Sequence, residues 1–236
     1  GYQYDVSFSG SAGDGGAGED GGGGGGGVYL VGHSRGAKIS MLQAASDPRV
    51  RAACLLDPVD NTVYAPLGEG FPSAIAAMRD SSLPTPLVVV GGRYGGDCAP
   101  KGSNYFDFLK EASRDSWGVE VRAGHFQFLD NASFVQRAVC EDGTAADAQV
   151  RELSQALMVA HAETVFRGVP RDLALRKTLA TLESSWGGGA FDDGGDGGGQ
   201  GATRVLGFGG GGGGRKAEKG RGDDGELPWV VLQDGV

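Results

Sequence analysis

Long apolar runs are missing from this sequence, and none approaches the roughly twenty residues a helix needs to cross a bilayer. No membrane-spanning helix is expected, which leaves a soluble or peripheral protein. Positive charge is scarce as well. With 21 Lys and Arg against 30 Asp and Glu the formal charge is −9, which argues against nucleic acid as the main partner, because a phosphate-binding face needs clustered basic residues. Arg215, Lys216, Lys219 and Arg221 do cluster, but inside a glycine-rich tail that reads as solvated. Cysteine is limited to Cys54, Cys98 and Cys140, without metal-ligand spacing. Buried free thiols are the default reading, and one disulfide with a thiol left over is the other. There is no zinc, calcium or phosphate-loop pattern, and the glycine block before Val28 precedes a strand where a dinucleotide fingerprint would follow one. No metal and no cofactor are therefore expected. Histidine is nearly absent too: His33, His125 and His161 are the three, which narrows any search for a general base.

Glycine, by contrast, is abundant. Most of the 46 glycines fall in blocks at 9–27, 187–201 and 207–214. Such segments carry too few apolar side chains to offset the entropy of ordering, so they read as linkers or disorder. The expected organisation is a short strand-like start at 2–8 followed by a glycine-rich linker to residue 27, a folded core over 28–186, and a disordered tail over 187–236. The start is not a methionine, and no targeting segment is readable in it.

Within the core, apolar β-rich runs at 28–31, 50–56, 87–90 and 117–121 read as strands. Helical patterns alternate with them: 37–45, with Ile39, Met41 and Leu42 available for burial; a short turn at 73–79; and 104–113, with Tyr105, Phe108 and Leu109 on one face. A long helix follows, with Val150, Leu153, Leu157, Ala160, His161 and Thr164 at helical spacing and Gly168 as its stop. A last helix starts at Pro170 with Leu173, Leu179 and Leu182 on its stripe. This alternation predicts a mostly parallel sheet with helices on both faces, and functional groups in such sheets gather at the carboxyl ends of the strands.

The most informative stretch is Gly32-His33-Ser34-Arg35-Gly36, between the first strand and the first helix. Gly-x-Ser-x-Gly in a strand–turn–helix context is a nucleophile elbow, with Ser34 projecting above the sheet edge. The two glycines are expected because side chains there would collide with the neighbouring strand and helix. The backbone N–H of Arg35, at the helix start, is the expected oxyanion donor.

A serine hydroxyl needs a base, and imidazole suits that task at neutral pH. His33 adjoins the nucleophile but is turned away from its line of approach, so it is assigned a structural or substrate-lining role. His161 lies mid-helix among apolar residues. His125 follows the fourth strand, comes after serine and acid in the chain, and is chosen by elimination and order. For the acid, Asp57, Asp60 and Asp97 are candidates, and position alone leaves Asp57 and Asp97 level. Tyr64, Leu67, Phe71 and Ile75, in the excursion after the second strand, are candidates to line a mouth for a greasy substrate, with packing filler as the alternative; Phe126, beside His125, is a further substrate-binding candidate.

Four ordered blocks then matter together: Gly32-His33-Ser34-Arg35-Gly36, Leu56-Asp57-Pro58-Val59-Asp60, Cys98 through Tyr105, and Gly124-His125-Phe126-Gln127-Phe128-Leu129-Asp130. Together they resemble the chlorophyllases, α/β-hydrolases that cleave the phytyl ester of chlorophyll. The resemblance implies Ser34 as nucleophile, Asp57 as acid and His125 as base, with no cofactor, a hydrophobic pigment ester as substrate, peripheral contact with a membrane and a chloroplast location. It leaves oligomeric state unknown. It also implies strands and an oxyanion loop before the elbow that this chain lacks, so the second oxyanion donor is expected to be absent. A general lipase or esterase, and a catalytically incompetent fragment that only binds, are the alternatives.

Overall fold

A computed structural model describes residues 26–63, 65–113, 115–185 and 229–232. The strand-like stretch at 2–8, the three glycine blocks apart from Gly26 and Gly27, the basic cluster after residue 214 and Tyr64 lie outside the described residues. In chain order the elements are β1 (Val28–His33), α1 (Arg35–Ala44), β2 (Val50–Leu56), α2 (Ala74–Asp80), β3 (Leu87–Gly92), α3 (Tyr105–Lys110), β4 (Trp117–Val121), α4 (Phe134–Val139), α5 (Asp147–Arg167), α6 (Arg171–Ser185) and β5 (Trp229–Leu232). A 3₁₀ turn, Gly96–Cys98, interrupts the loop after β3.

The sheet runs β1-β2-β3-β4-β5. The first four strands are parallel, and β5 is antiparallel to β4, with Val121 opposite Trp229 and Gly118 opposite Leu232. Within the stretch 187–236 only these four residues are described, and Trp-Val-Val-Leu is an apolar, β-branched run that gains a ladder by pairing with the edge of β4.

Side-chain alternation divides the sheet into two faces. Tyr29, Val31, Ala52, Cys54, Val88, Val90 and Val119 pack with Val150, Leu153 and Leu157 of α5 and Leu179 and Leu182 of α6. Leu30, Ala53, Leu55, Leu87 and Val89 point the other way, onto Ala37, Met41 and Ala44 of α1, Ala74 of α2 and Phe108 of α3. Burial on both faces is why the parallel strands read as unbroken apolar runs, and all six residues of β3 are buried.

The helices show where period alone misleads. In α1 the buried stripe is Ala37, Met41 and Ala44, and Ile39, assigned inward from sequence, is 64% exposed. Lys38 is buried instead, because its ammonium finds Asp60. In α6 Ala174 takes the inward position expected for Leu173, which is exposed. Helix α5 ends as expected, with Gly168 at φ 66°, the left-handed C-cap conformation that glycine adopts without a Cβ penalty. Helix α4 was not anticipated; Ser133 caps it, with Gln136 reaching back in a capping box.

Cys98 and Cys140 form a disulfide across 42 residues, with Cα atoms 6.0 Å apart, which corrects the expectation of three free thiols. Cys54 is the free cysteine, buried in β2, and desolvation pushes its thiol up to about 12. No helix among the described residues is long and apolar enough to cross a membrane.

Candidate active site

The site forms where β1, β2 and β4 end. Ser34 is the turn residue between β1 and α1, at φ 57° and ψ −124°, a conformation that non-glycine residues rarely adopt. Its backbone is fastened on several sides. Ser34 N–H donates to Leu56 O at 3.0 Å, and its carbonyl accepts from Ala37, Lys38 and Val59 at 3.1–3.3 Å. Gly32 is required by close packing, since a Cβ there would run into the backbone of Gly36 and Ala37. The same argument fails for Gly36. A Cβ on Gly36 would meet nothing within 4 Å among the described residues, so the expected collision exists at one glycine and not at both.

Asp57 follows β2 in the register that places Leu56 beside His33. It too has a positive φ, 39°, and is fully buried. Its N–H donates to Val90 O at 2.7 Å, and its Oδ1 accepts from Gly92 N–H at 2.8 Å. The other oxygen, Oδ2, lies 2.6 Å from His125 Nδ1. His125 Nε2 in turn lies 2.9 Å from Ser34 Oγ. A carboxylate only accepts, so Nδ1 carries the proton and donates to Asp57; Nε2 is left with its lone pair and accepts the Ser34 hydroxyl proton. That is the tautomer a general base needs.

His125 belongs to a loop of close approaches. A Cβ on Gly124 would collide with the carbonyl of Glu141, and one on Gly143 with the carbonyl of Arg122. Gln127, within the fourth block yet given no role from sequence, is the clamp. Its Oε1 accepts from Gly124 N–H and Gly143 N–H, and its Nε2 donates to Ala145 O and Asp147 Oδ1, both at 2.8 Å. The disulfide closes the same region, since Cys140 precedes Glu141 and Cys98 lies on the loop that follows β3, whose last residue, Gly92, holds Asp57.

Among the three candidate acids, Asp57 alone meets an imidazole. Asp97 is exposed on the 3₁₀ turn. Asp60 is buried against Lys38, whose ammonium donates to Asp60 O at 2.6 Å and stands 3.5 Å from Oδ1. The Asp60 carboxylate also accepts from Ser73 Oγ at 2.5 Å and Ala74 N–H at 2.7 Å, tying both ends of the excursion at 61–72 together. This Lys38–Asp60 pair escaped sequence reading, although the second aspartate of Asp57-Pro58-Val59-Asp60 was a legible cue.

Arg35 opens α1, and the first N–H groups of a helix have no acceptor inside it. The expected lack of a second donor concerns residues before 26, outside the described residues. His33 Nε2 bonds the His125 carbonyl at 2.7 Å; burial, first, and the neighbouring His125 lower its pKa to about 4. Phe126 stands edge-on to His125, with centroids 4.9 Å apart. Phe71 is 61% exposed in the excursion, Leu67 is exposed beside it, and Ile75 packs against the core under α2. His161 is fully buried; its Nδ1 is 2.9 Å from the Tyr29 hydroxyl, and desolvation lowers its pKa to about 3.

No curated protein matches the chain. Thirty-nine chains of solved structures do match. One is the esterase domain of a Rhodothermus marinus protein, 15% identical, with a TM-score of 0.40 over 58% of this chain and 60% of that one. The chlorophyllase family model matches residues 25–182, more than half of the sequence and a span that contains Ser34, Asp57 and His125. A mostly parallel sheet covered on both faces and a Gly-x-Ser-x-Gly elbow are features of the α/β-hydrolase type, and within that type the chain belongs to the chlorophyllase family.

Proposed function

We propose that the chain is a chlorophyllase-like carboxylesterase, and the observation that carries the reading is the unbroken hydrogen-bond series Ser34, His125, Asp57. Ser34 Oγ attacks the ester carbonyl carbon while its proton passes to His125 Nε2. Asp57 holds the imidazolium that forms, and the carbonyl oxygen, now an anion, is met by the Arg35 N–H. Collapse of this intermediate breaks the ester C–O bond, and His125 returns the proton to the departing alcohol. Water, deprotonated by the same histidine, then releases the acid and restores Ser34. With chlorophyll as substrate the alcohol is phytol and the acid chlorophyllide.

Exposed apolar side chains in the segments that follow the strands support a greasy ester. Val63, Leu67 and Phe71 after β2, Phe106 after β3 and Phe134 after β4 are all exposed. Such side chains fit a long hydrocarbon tail, and on this reading they also meet the surface of the membrane that holds the pigment, within a chloroplast. Hydrocarbon contact does not recognise a chlorin, however, so these same residues favour a general esterase on acyl lipids as the second reading.

The test is chlorophyllide release by the purified chain, resolved by chromatography, beside Ser34→Ala and beside a panel of acyl esters. Product from the parent and none from the variant is the expected result. Hydrolysis of acyl esters with chlorophyll untouched selects the second reading, and activity undiminished in Ser34→Ala overturns both.

A further inference from the structure

The main chain around His125 is held from two sides, and the two are unlike. Toward the segments that follow β3 and precede α5 the loop is fixed repeatedly: Tyr94 N–H donates to Ala123 O at 3.0 Å, and Gln127 accepts from Gly124 N–H at 2.7 Å and from Gly143 N–H at 2.5 Å. Toward the nucleophile the link is a side chain. His33 Nε2 lies 2.7 Å from the carbonyl oxygen of His125. That carbonyl has no proton to give, so Nε2 carries the hydrogen and donates, which makes a neutral His33 the Nε2–H tautomer. The two rings face one another with centroids 4.8 Å apart at 38°. His33 is the last residue of β1, next to Ser34, whereas His125 follows β4, with β2 and β3 lying between those strands.

We infer that His33 is a positioning residue for the general base: by donating Nε2–H to the His125 carbonyl it fastens the base's backbone to the nucleophile's own strand and sets the His125–Ser34 distance. The inference rests on the proposed roles of Ser34 and His125. Of the structural and substrate-lining roles expected for His33 it takes the structural one, since Nε2 is committed to the main chain.

Electrostatics agree with the geometry. The titratable groups facing His33 are His125 and, beyond it, Asp57. When His125 takes the Ser34 proton it becomes a cation, and a second cation 4.8 Å away would oppose that step. Burial keeps His33 neutral, with its pKa lowered to about 4, so it holds the base without competing for charge.

The test compares His33→Gln, whose amide can still donate to the carbonyl, with His33→Phe, which keeps a flat ring and loses the donor. On a short, soluble p-nitrophenyl ester, His33→Phe is expected to lose about 10- to 100-fold in kcat with KM unchanged, as misplacement of a reacting group by about 1 Å does, while His33→Gln retains most of the parent's kcat. A second readout needs no turnover. The low-field proton resonance of His125 Nδ1–H, sharp in the parent and in His33→Gln, should broaden or vanish in His33→Phe while thermal melting shows both variants folded. Equal losses in Gln and Phe, a rise in KM without a fall in kcat, or an unchanged resonance in His33→Phe would overturn the inference. Activity surviving Ser34→Ala removes the catalytic reading instead, and the resonance comparison still judges the role of His33.

Discussion

Changing Asp57 to asparagine tests the acid by altering one atom. The two oxygens of Asp57 have different partners: Oδ1 accepts from Gly92 N–H at 2.8 Å, and Oδ2 accepts from His125 Nδ1–H at 2.6 Å. An asparagine can satisfy one partner with its oxygen but must turn its NH₂ toward the other. Facing Gly92 with NH₂ would set donor against donor at a fully buried backbone N–H, a loss of about 1–3 kcal/mol. The side chain therefore keeps its oxygen on Gly92 and presents NH₂ to His125. Nδ1 must then accept, the ring's proton moves to Nε2, and the Ser34 hydroxyl loses its acceptor. The same swap of tautomer behind a serine nucleophile costs about 10,000-fold in kcat. We expect a loss of about 1,000- to 10,000-fold in Asp57→Asn, with KM and the melting temperature little changed. Steady-state hydrolysis of a soluble p-nitrophenyl ester measures it, with Asp97→Asn as a matched control on an exposed turn. A loss below about tenfold, or one equalled by Asp97→Asn, would refute the assignment of the acid.

Other outcomes follow from the same geometry. Gly32→Ala should fail to give folded, active protein, because its Cβ would enter the backbone of Gly36 and Ala37, whereas Gly36→Ala should fold and hydrolyse ester like the parent; circular dichroism and ester assays on the pair decide this. Stability should fall in acid through His161. Its pKa is about 3 in the fold and about 6.5 when unfolded, so between those values the unfolded chain binds a proton that the fold excludes. Its contribution is thus fully present above about pH 6.5 and is lost as pH falls toward 3. Urea midpoints measured from pH 7 to 4 should drop more steeply in the parent than in His161→Gln, and equal slopes would remove His161 as the cause.

The sheet was legible in the sequence because its strands are buried on both faces. The bounds of β2 and β4 are those read from their apolar runs, which Pro, Gly and Asp interrupt sharply. Ser34 was legible from the elbow and His125 from chain order, and the structure brings both onto Asp57. What stayed hidden was pairing at long range. Residue spacing cannot show that Lys38 turns inward, since its reason is an aspartate 22 residues later. Nor can it show that Cys98 meets Cys140, or that a four-residue run beyond a glycine-rich stretch adds a strand beside β4. Between Asp57 and Asp97 the chain position was level, and the resemblance to the chlorophyllases chose Asp57, the one of the two whose carboxylate meets His125. Three errors were local. The stripe of α1 starts at Ala37 and excludes Ile39, that of α6 takes Ala174 in place of Leu173, and Gly36 occupies open space, where motif reasoning had placed a collision.

The order β1-β2-β3-β4 has a consequence for how the protein is made. Each of these strands lies beside the one synthesised just before it, so every new strand emerging from the ribosome finds its partner already present. The nucleophile turn is fastened by β1 and β2, the acid is held only once Val90 and Gly92 of β3 are in place, and the base arrives with β4. A nascent chain that has passed Asp57 but not His125 thus has no His125 to meet Ser34, and on the proposed mechanism it stays inert toward esters until the fourth strand and its loop have docked.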